Sequence, residues 1–327
     1  MGDSRPTLVT GAGGFIGSHL ACALAARGEP VRAFLRYNSR SSRGWLAEAD
    51  PAGDIETVFG DIRDFDAVDR AMTGCRRVFH LAALIGIPYS YESPLAYVQT
   101  NGVGAYNVLE AVRRRELEEL VLVSTSETYG TPESVPIPET AVPSAQSPYA
   151  ASKVAADQLA LSYHRSFGLP VKIARPFNTF GPRQSARAII PAVMIQLLAG
   201  NDRPAVGSLT PTRDLTYVSD TVAGLLAIGD CPSLVGGATN IGSGQEIAIG
   251  ELIGRIARVT GRAVIPQTEA RRLRPSTSEV KRLCCDATRL RQATGWAPQV
   301  GLEEGLCRTW EWLSTHRELS RPGEYHV

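Results

Sequence analysis

Thr7-Leu8-Val9-Thr10-Gly11-Ala12-Gly13-Gly14-Phe15-Ile16-Gly17 decides the fold. Thr7 to Thr10 read as a short buried strand. A glycine-rich turn follows directly, and a helical pattern runs to about Arg27 with Gly28 as its stop. Gly11, Gly14 and Gly17 stand three apart. A dinucleotide diphosphate needs this build: a tight turn, close backbone approach, and a helix N-terminus aimed at the phosphates. Glycine triplets are common in loops, and what gives this one weight is its place between the first strand and the first helix. Phe15 and Ile16, at the helix start, join the three glycines as cofactor-binding candidates.

Outward from this loop the chain alternates strand and helix. The second strand is Val31 to Leu35. An acidic residue about 20 positions past such a loop bonds the adenosine ribose. Arg36 stands there instead, followed by Tyr37-Asn38-Ser39-Arg40. Arginine suits a ribose 2′-phosphate but is also common at a solvated strand end, so NAD and NADP both stay open, with Arg36, Asn38 and Ser39 as ribose-side candidates. The third strand, Ile55 to Phe59, leads into Gly60-Asp61-Ile62. Asp61 suits the adenine amino group, or alternatively caps a helix at Asp66 to Met72. The fourth strand, Arg77 to Leu81, leads to Ala82 and Ala83, whose small side chains let Leu81-Ala82-Ala83 pack on a cofactor. His80 reads as a packed strand residue. A helical pattern from Asn101 to Arg115 places Asn101 as a brace for the catalytic region.

The catalytic candidates lie further on. An apolar run, Leu120 to Val123, ends in Ser124-Thr125-Ser126-Glu127-Thr128-Tyr129-Gly130. Polar residues at the end of a buried parallel strand face the ligand crevice of an α/β protein. Tyr149 and Lys153 then sit four apart early in a helix, Pro148 to Phe167, and share one face. A cation beside a phenol favours phenolate, which makes Tyr149 a base. A hydroxyl of Ser124 or Thr125 can orient the same substrate oxygen. A Tyr-x-x-x-Lys pair alone is an ordinary surface feature; behind a serine-rich strand end and a dinucleotide loop it is not.

Composition agrees with a folded enzyme. The 327 residues are 43% hydrophobic and 20% charged with a net charge of +1, so no global charge draws the chain to nucleic acid or an anionic membrane. No apolar run is long enough to span a bilayer. Strand one begins by Thr7, which leaves no room for a signal peptide. Cys22, Cys75, Cys231, Cys284, Cys285 and Cys307 form no C-x-x-C pair and suit neither a metal site nor a disulfide framework. Reduced thiols in a cytoplasmic protein are the expectation.

Jointly, Gly11 to Gly17, Gly60-Asp61-Ile62, His80-Leu81-Ala82-Ala83, Tyr149-x-x-x-Lys153, Arg175-Pro176-Phe177-Asn178 and Gly181-Pro182-Arg183 resemble the extended short-chain dehydrogenase/reductase family, the NAD-dependent epimerases and dehydratases. The resemblance covers nearly the whole chain. Leu84 to Ser90 and Gln184-Ser185-Ala186-Arg187 look most like nucleotide-sugar 4,6-dehydratases acting on nucleotide-linked N-acetylglucosamine, of the legionaminic-acid pathway type. It implies an α/β protein: a Rossmann-like doubly wound parallel sheet with a smaller α/β substrate-binding lobe. Residues 1–176, with 212–245 returning, would form the cofactor domain, and 177–211 with 246–327 the substrate lobe.

The resemblance puts the nicotinamide near Pro176 and Phe177, and Asn178 on the substrate phosphates. Arg213 and Arg274, on two separate excursions, would clamp the substrate diphosphate, because arginine pairs phosphate oxygens as a fork. Arg187 would add a contact near the nucleotide, while Arg271 and Arg272 read as solvated charges. The apolar segment from Leu84 to Tyr91, Ile85 included, suits an acetamido methyl or a sugar face. The implied chemistry is oxidation at C4 by Tyr149 and a tightly bound, recycled NAD or NADP, with Lys153 holding the ribose. Removal of the C5 proton by Glu127, loss of the 6-hydroxyl as water, and reduction at C6 follow. Many relatives carry Thr-Asp-Glu where this chain has Thr125-Ser126-Glu127, so the acid that protonates the leaving oxygen is in question. UDP-glucuronate decarboxylases share Thr-Ser-Glu and are a rival; the Leu84–Tyr91 sequence offers no cation for a carboxylate. A 4-epimerase is another, and a non-enzymatic NAD(P)-binding protein would more often lack the tyrosine or lysine. Helices over Leu95–Arg115 and Pro148–Phe167 are expected to pair in a homodimer.

Overall fold

A computed structural model describes residues 4–50 and 53–316. The strands in chain order are β1 (Thr7–Thr10), β2 (Val31–Arg36), β3 (Glu56–Gly60), β4 (Arg77–His80), β5 (Glu119–Val123), β6 (Val171–Pro176), β7 (Asn178–Phe180), β8 (Ala205–Val206), β9 (Thr212–Tyr217), β10 (Ala238–Ile241), β11 (Glu246–Ala248), β12 (Gln267–Thr268) and β13 (Arg282–Leu283). Seven of them make one parallel sheet in the order β10-β6-β5-β4-β1-β2-β3. Every residue of β1, β4 and β6 is buried, as expected where helices cover both faces. The order reverses between β1 and β4, and ligands of such sheets bind outside the strand ends at that reversal.

One face carries the Phe15–Ala26 and Val218–Gly229 helices. The other carries Phe65–Ala71, Gly104–Arg114 and Pro148–Phe167. The apolar cluster on the first face continues without a break through Ile190, Leu252, Ile256 and Leu306. These residues belong to the Ile189–Leu198, Ile249–Thr260 and Leu302–Thr315 helices of the second lobe. That lobe also holds β9, flanked by β7, β11 and β13, and the two-stranded pair β8 and β12.

Three elements differ from the sequence expectation. The Thr212–Tyr217 strand joins the second sheet, while the helix after it and β10 join the first. The helix expected from Asn101 begins instead as a widened π turn, Val98–Val103, and becomes α-helical only at Gly104. A short helix forms at Ile87–Glu92, where none was expected, and another at Pro94–Tyr97 opens the expected Leu95–Arg115 stretch. The last helix is described to Thr315.

Candidate active site

Ser147 caps the Pro148–Phe167 helix, its Oγ accepting from Ala150 N–H at 3.1 Å, and Pro148 opens the first turn. Tyr149, Lys153 and Asp157 follow at four-residue spacing on one buried face, 7%, 4% and 0% exposed. Opposite them β5 ends. Thr125 is extended and caps the Ser126–Tyr129 turn, its Oγ1 accepting from Glu127 N–H at 3.2 Å. This tight turn buries Ser124, Thr125, Ser126 and Glu127 together. The Thr125 hydroxyl acts on the Tyr149 phenol, and the charge of the Glu127 carboxylate reaches it.

Burial raises the Tyr149 phenol above its ordinary value; the Thr125 bond opposes this, and Glu127, Tyr97 and Asp157 add to the rise. The expected effect of Lys153 on Tyr149 is therefore corrected: in the protein alone desolvation wins and the neutral phenol is favoured. The Lys153 Nζ donates instead to Val123 O at 2.8 Å. Burial lowers its pKa to about 8, with Asp157 opposing. Asp157 is locked by Arg175, whose Nη2 and Nε reach one carboxylate oxygen at 2.8 and 3.1 Å.

The glycine loop fits a dinucleotide. A Cβ on Gly17 would stand 2.2 Å from Gly11 O, and one on Gly11 would stand 2.9 Å from Ala82 N, so two strand ends and a helix meet here only without side chains. At Gly14 a Cβ would meet only Gly11 O, at 3.2 Å. That side is open toward the helix N-terminus, where Phe15 and Ile16 lie and which has no side-chain cap and no acidic residue in its first turn. Uncapped N–H groups of this kind suit a diphosphate. Leu81 and Ala82 are fixed by Thr10, whose Oγ1 accepts from both N–H groups at 3.1 Å; Ala83 follows them in the same partly buried segment. Arg36 is exposed at the end of β2 and acts on the charge of Asp61. Asp61 itself is gripped by Arg63, with a shortest contact of 2.6 Å, which lowers its pKa. Asn38 organises its own loop, accepting from Arg40 and Ser42 N–H, each at 3.1 Å, and Ser39 lies exposed within that loop. Ile62 packs under Gly104. Pro176 is buried at the end of β6.

Asn101 is a brace. Its Oδ1 accepts from Leu84 N–H at 2.8 Å, and its Nδ2 donates to Leu84 O and Ser152 Oγ, both at 2.9 Å. The loop so held exposes Ile85 and runs into Gly86, whose carbonyl accepts from the Tyr97 hydroxyl. The Tyr97 ring meets the Tyr149 ring edge-on at 6.2 Å. Arg187 lies against Gly86, where a Cβ would be 3.0 Å from its Nη1, and its charge reaches Tyr97. The sequence placed Arg187 near the nucleotide; the structure sets it beside the Leu84–Tyr91 segment.

Arg213 and Arg274 do converge, on a carboxylate. Arg213 is buried, donating to Val280 O at 2.9 Å and Glu279 Oε1 at 2.8 Å, and Arg274 reaches the same Oε1 at 3.4 Å. Arg271 and Arg272 pair with Glu269. Asn178 Oδ1 is buried without a partner, and the buried Ser124 hydroxyl acts on the Asp157 carboxyl. Sequence reading missed Glu279, Tyr97, Thr10 and the Asp157–Arg175 pair. Only Asp157 left a local signal, one turn beyond Lys153; the others are made by contacts far apart in the chain.

A buried tyrosine and lysine, a buried carboxylate at the end of the neighbouring strand, and an open glycine loop at the sheet's reversal are the layout of one known family. The family model described as GDP-mannose 4,6 dehydratase matches residues 8–309. The chain belongs to this family, among the NAD-dependent epimerases and dehydratases. It is 33% identical over 323 residues to a dTDP-glucose 4,6-dehydratase of Streptomyces griseus, covering 96% of each chain. It is 34% identical over 317 residues to a UDP-glucose 4-epimerase of Mycolicibacterium smegmatis, covering 94% of this chain and 98% of that one. The dTDP-glucose 4,6-dehydratase of Streptomyces venezuelae, solved with NAD bound, superimposes with a TM-score of 0.87 at 29% identity over 97% and 99% of the two chains. An NAD-dependent NDP-hexosamine 5,6-dehydratase involved in tunicamycin biosynthesis gives 0.84 at 29% identity over 95% and 98%. Like the family, this chain is an NAD-dependent nucleotide-sugar enzyme of the dehydratase and epimerase class. Among the described residues no helix is long and apolar enough to cross a membrane.

Proposed function

We propose that the protein is a 4,6-dehydratase of a nucleotide-linked hexose, with N-acetylglucosamine as the sugar, in the manner of the legionaminic-acid pathway enzymes. The observation that carries this is Glu127, buried beside Thr125 and close enough for its charge to act on the Tyr149 phenol. A 4-epimerase needs a tyrosine and a lysine but has no work for a second base. Thr125 and Ser124 orient the 4-hydroxyl, and Tyr149 takes its proton while Lys153 holds the cofactor ribose. Bound NAD supplies the hydride acceptor at C4 and the donor at C6. Glu127 removes the C5 proton, made acidic by the 4-ketone, and passes it to the departing 6-oxygen. Ser126, too weak an acid, relays that proton.

NAD is the assigned cofactor, held at Gly11, Gly14 and Gly17, and it stays bound because each cycle regenerates it. The relative that acts on an NDP-hexosamine supports the amino-sugar reading, and Ile85 offers an exposed apolar surface to an acetamido methyl. Arg213 and Arg274 take the diphosphate and exchange Glu279 for it, with Asn178 beside them. Residues 177–211 and 246–327 are taken as the substrate lobe. The six free cysteines agree with a reducing, cytoplasmic setting. Exposed Leu95, Val98 and Tyr106, on one side, and Phe167 are assigned to a homodimer interface; light scattering should return twice the chain mass, and a monomer would remove the assignment.

One observation favours a second reading. Arg187 beside Gly86 supplies the cation that a uronate decarboxylase requires. Mass spectrometry in heavy water with UDP- and GDP-linked glucose, N-acetylglucosamine and glucuronate separates the readings. Loss of water with deuterium gained at C5 or C6 is the expected result. Loss of carbon dioxide would install the decarboxylase, and an isobaric product the epimerase.

A further inference from the structure

The loop after β2 crosses the glycine turn at backbone contact. Trp45 N–H donates to Gly13 O at 3.0 Å. A Cβ on Gly44 would stand 2.4 Å from that oxygen, and one on Gly13 would stand 2.9 Å from Arg43 O. Gly44 also has a φ of +57°, which a side chain disfavours. Among the described residues the Trp45 bond is the one hydrogen bond from residues 37–45 to the turn at residues 11–17. The loop is otherwise held largely to itself. Asn38 Oδ1 accepts from Arg40 and Ser42 N–H, and Ser42 Oγ accepts from Gly44 N–H at 3.2 Å.

What meets the Trp45 ring comes from the other lobe. Trp312, in the Leu302–Thr315 helix, packs against it edge-on at 5.4 Å. His316 stacks on Trp312 at 4.2 Å, and its Nε2 reaches Glu48 Oε1 at 3.2 Å. Trp45 and Glu48 belong to one short turn, the start and body of the Leu46–Ala49 helix, whose Leu46 is wholly buried. The end of the last helix therefore grips the same turn that bonds Gly13. Joining the lobes does not require this grip. The apolar core already runs unbroken from the first sheet face into the second lobe, and a partly exposed ion pair adds little. Its address is what asks for a reason. An aromatic pair fixes a ring by geometry as well as by area, and fixing the Trp45 ring fixes where its N–H meets the glycine turn.

We propose that Trp45 and Trp312 are positioning residues for the cofactor: the last helix of the second lobe seats the loop after β2 on Gly13, and so holds the glycine turn and the ribose-side loop in the arrangement that retains NAD. Neither ring has a part in the chemistry. An enzyme that regenerates its cofactor in each cycle gains from slow release, and this clasp supplies part of the slowness. The inference rests on the placement of NAD at the glycine turn and not on which sugar reaction follows.

Full-length protein loaded with NADH and chased with excess NAD gives the release rate, read from the fluorescence of bound NADH well below the unfolding midpoint. Trp312→Ala should release NADH about fivefold to tenfold faster, the scale of one lost aromatic pair. Trp312→Phe keeps a ring edge toward Trp45 and should restore most of the hold. The double variant W45A/W312A should be no faster than Trp45→Ala, since one contact cannot be lost twice. Should Trp312→Ala fail to fold, Trp312→Leu keeps an apolar side chain there without the ring and is read in its place. A purely structural role would lower the unfolding midpoint and leave release from the folded variant at the parent rate; that result overturns the proposal, as do additive losses in the double variant. Gly17→Ala separates the two readings. Fast release from it beside parent-rate release from Trp312→Ala sinks the clasp and keeps NAD at the turn. Parent-rate release from Gly17→Ala sinks the placement of NAD, and the clasp with it.

Discussion

Tyr149 sits as a neutral phenol in the protein alone, because burial outweighs the Thr125 bond. Its work as a base therefore begins only when substrate and a cationic nicotinamide share the pocket. Tyr149→Phe should lower kcat by about a thousandfold, within the range for a lost general base, while calorimetry shows NAD binding intact. Activity near the parent level would end the mechanism. Glu127→Gln separates the two bases. C4 oxidation should proceed and elimination should stop, so reduced-cofactor absorbance builds up and persists; a variant that turns over at full rate without that signal would remove Glu127 from the chemistry. Both residues were legible in the sequence because each lies in a local motif, one at a strand end and one in the first turn of a helix. Glu279 was not. It meets Arg213 from 66 positions away, and no local pattern marks a carboxylate that stands between two arginines.

At the scale of elements, the loop after β1 was readable because its constraint is local: Gly17 must pass Gly11 O. Gly17→Ala would place a methyl 2.2 Å from that oxygen. The helix must shift, and overpacking of this kind costs about 1–3 kcal/mol. The variant should lose stability in urea and release NAD, while Gly28→Ala, with nothing near its Cβ, should keep NAD. The widened turn at Val98–Val103 was not readable. It exists because Gly104 must seat on Ile62 while Asn101 reaches both Leu84 and Ser152, and a regular helix reads the same in sequence. Asn101→Ala removes three hydrogen bonds, each worth about 0.5–1.5 kcal/mol. It should lower the urea midpoint and loosen the Ile85 loop, seen as faster amide exchange at Leu84; unchanged exchange would mean the loop is held elsewhere.

Across the whole molecule, the alternation of strand and helix told of a doubly wound sheet, yet the second lobe gave no such clear outline. Its core is an extension of one sheet face, and its central strand β9 takes partners from three separate stretches of chain, so no single stretch carries its signature. One buried histidine inside the first sheet and one half-buried histidine bonded across to Pro182 set the response to acid. His80 is wholly enclosed, and its Nδ1 accepts from Thr10, whose hydroxyl oxygen already takes two N–H groups. Burial first, then Lys153, lowers its pKa to about 3. His19 bonds Pro182 O at 3.1 Å across the lobes, and burial with Arg183 lowers it to about 4. Both pKa values lie below the unfolded value of about 6.5. The folded state therefore binds fewer protons than the unfolded one as pH falls below 6.5. Stability is complete above that pH and drains away toward each folded value, by about 1.4 kcal/mol per unit for each histidine once the unfolded rings are charged. Buried Asp157 and Asp214, whose carboxyls burial raises, act in the opposite sense from the ordinary carboxylate value upward and offset part of the histidine slope. Urea midpoints measured from pH 7.5 down to 5 should fall, and His80→Gln should fall roughly half as steeply. A parent protein equally stable at both ends would mean that these rings take up protons without opening the fold.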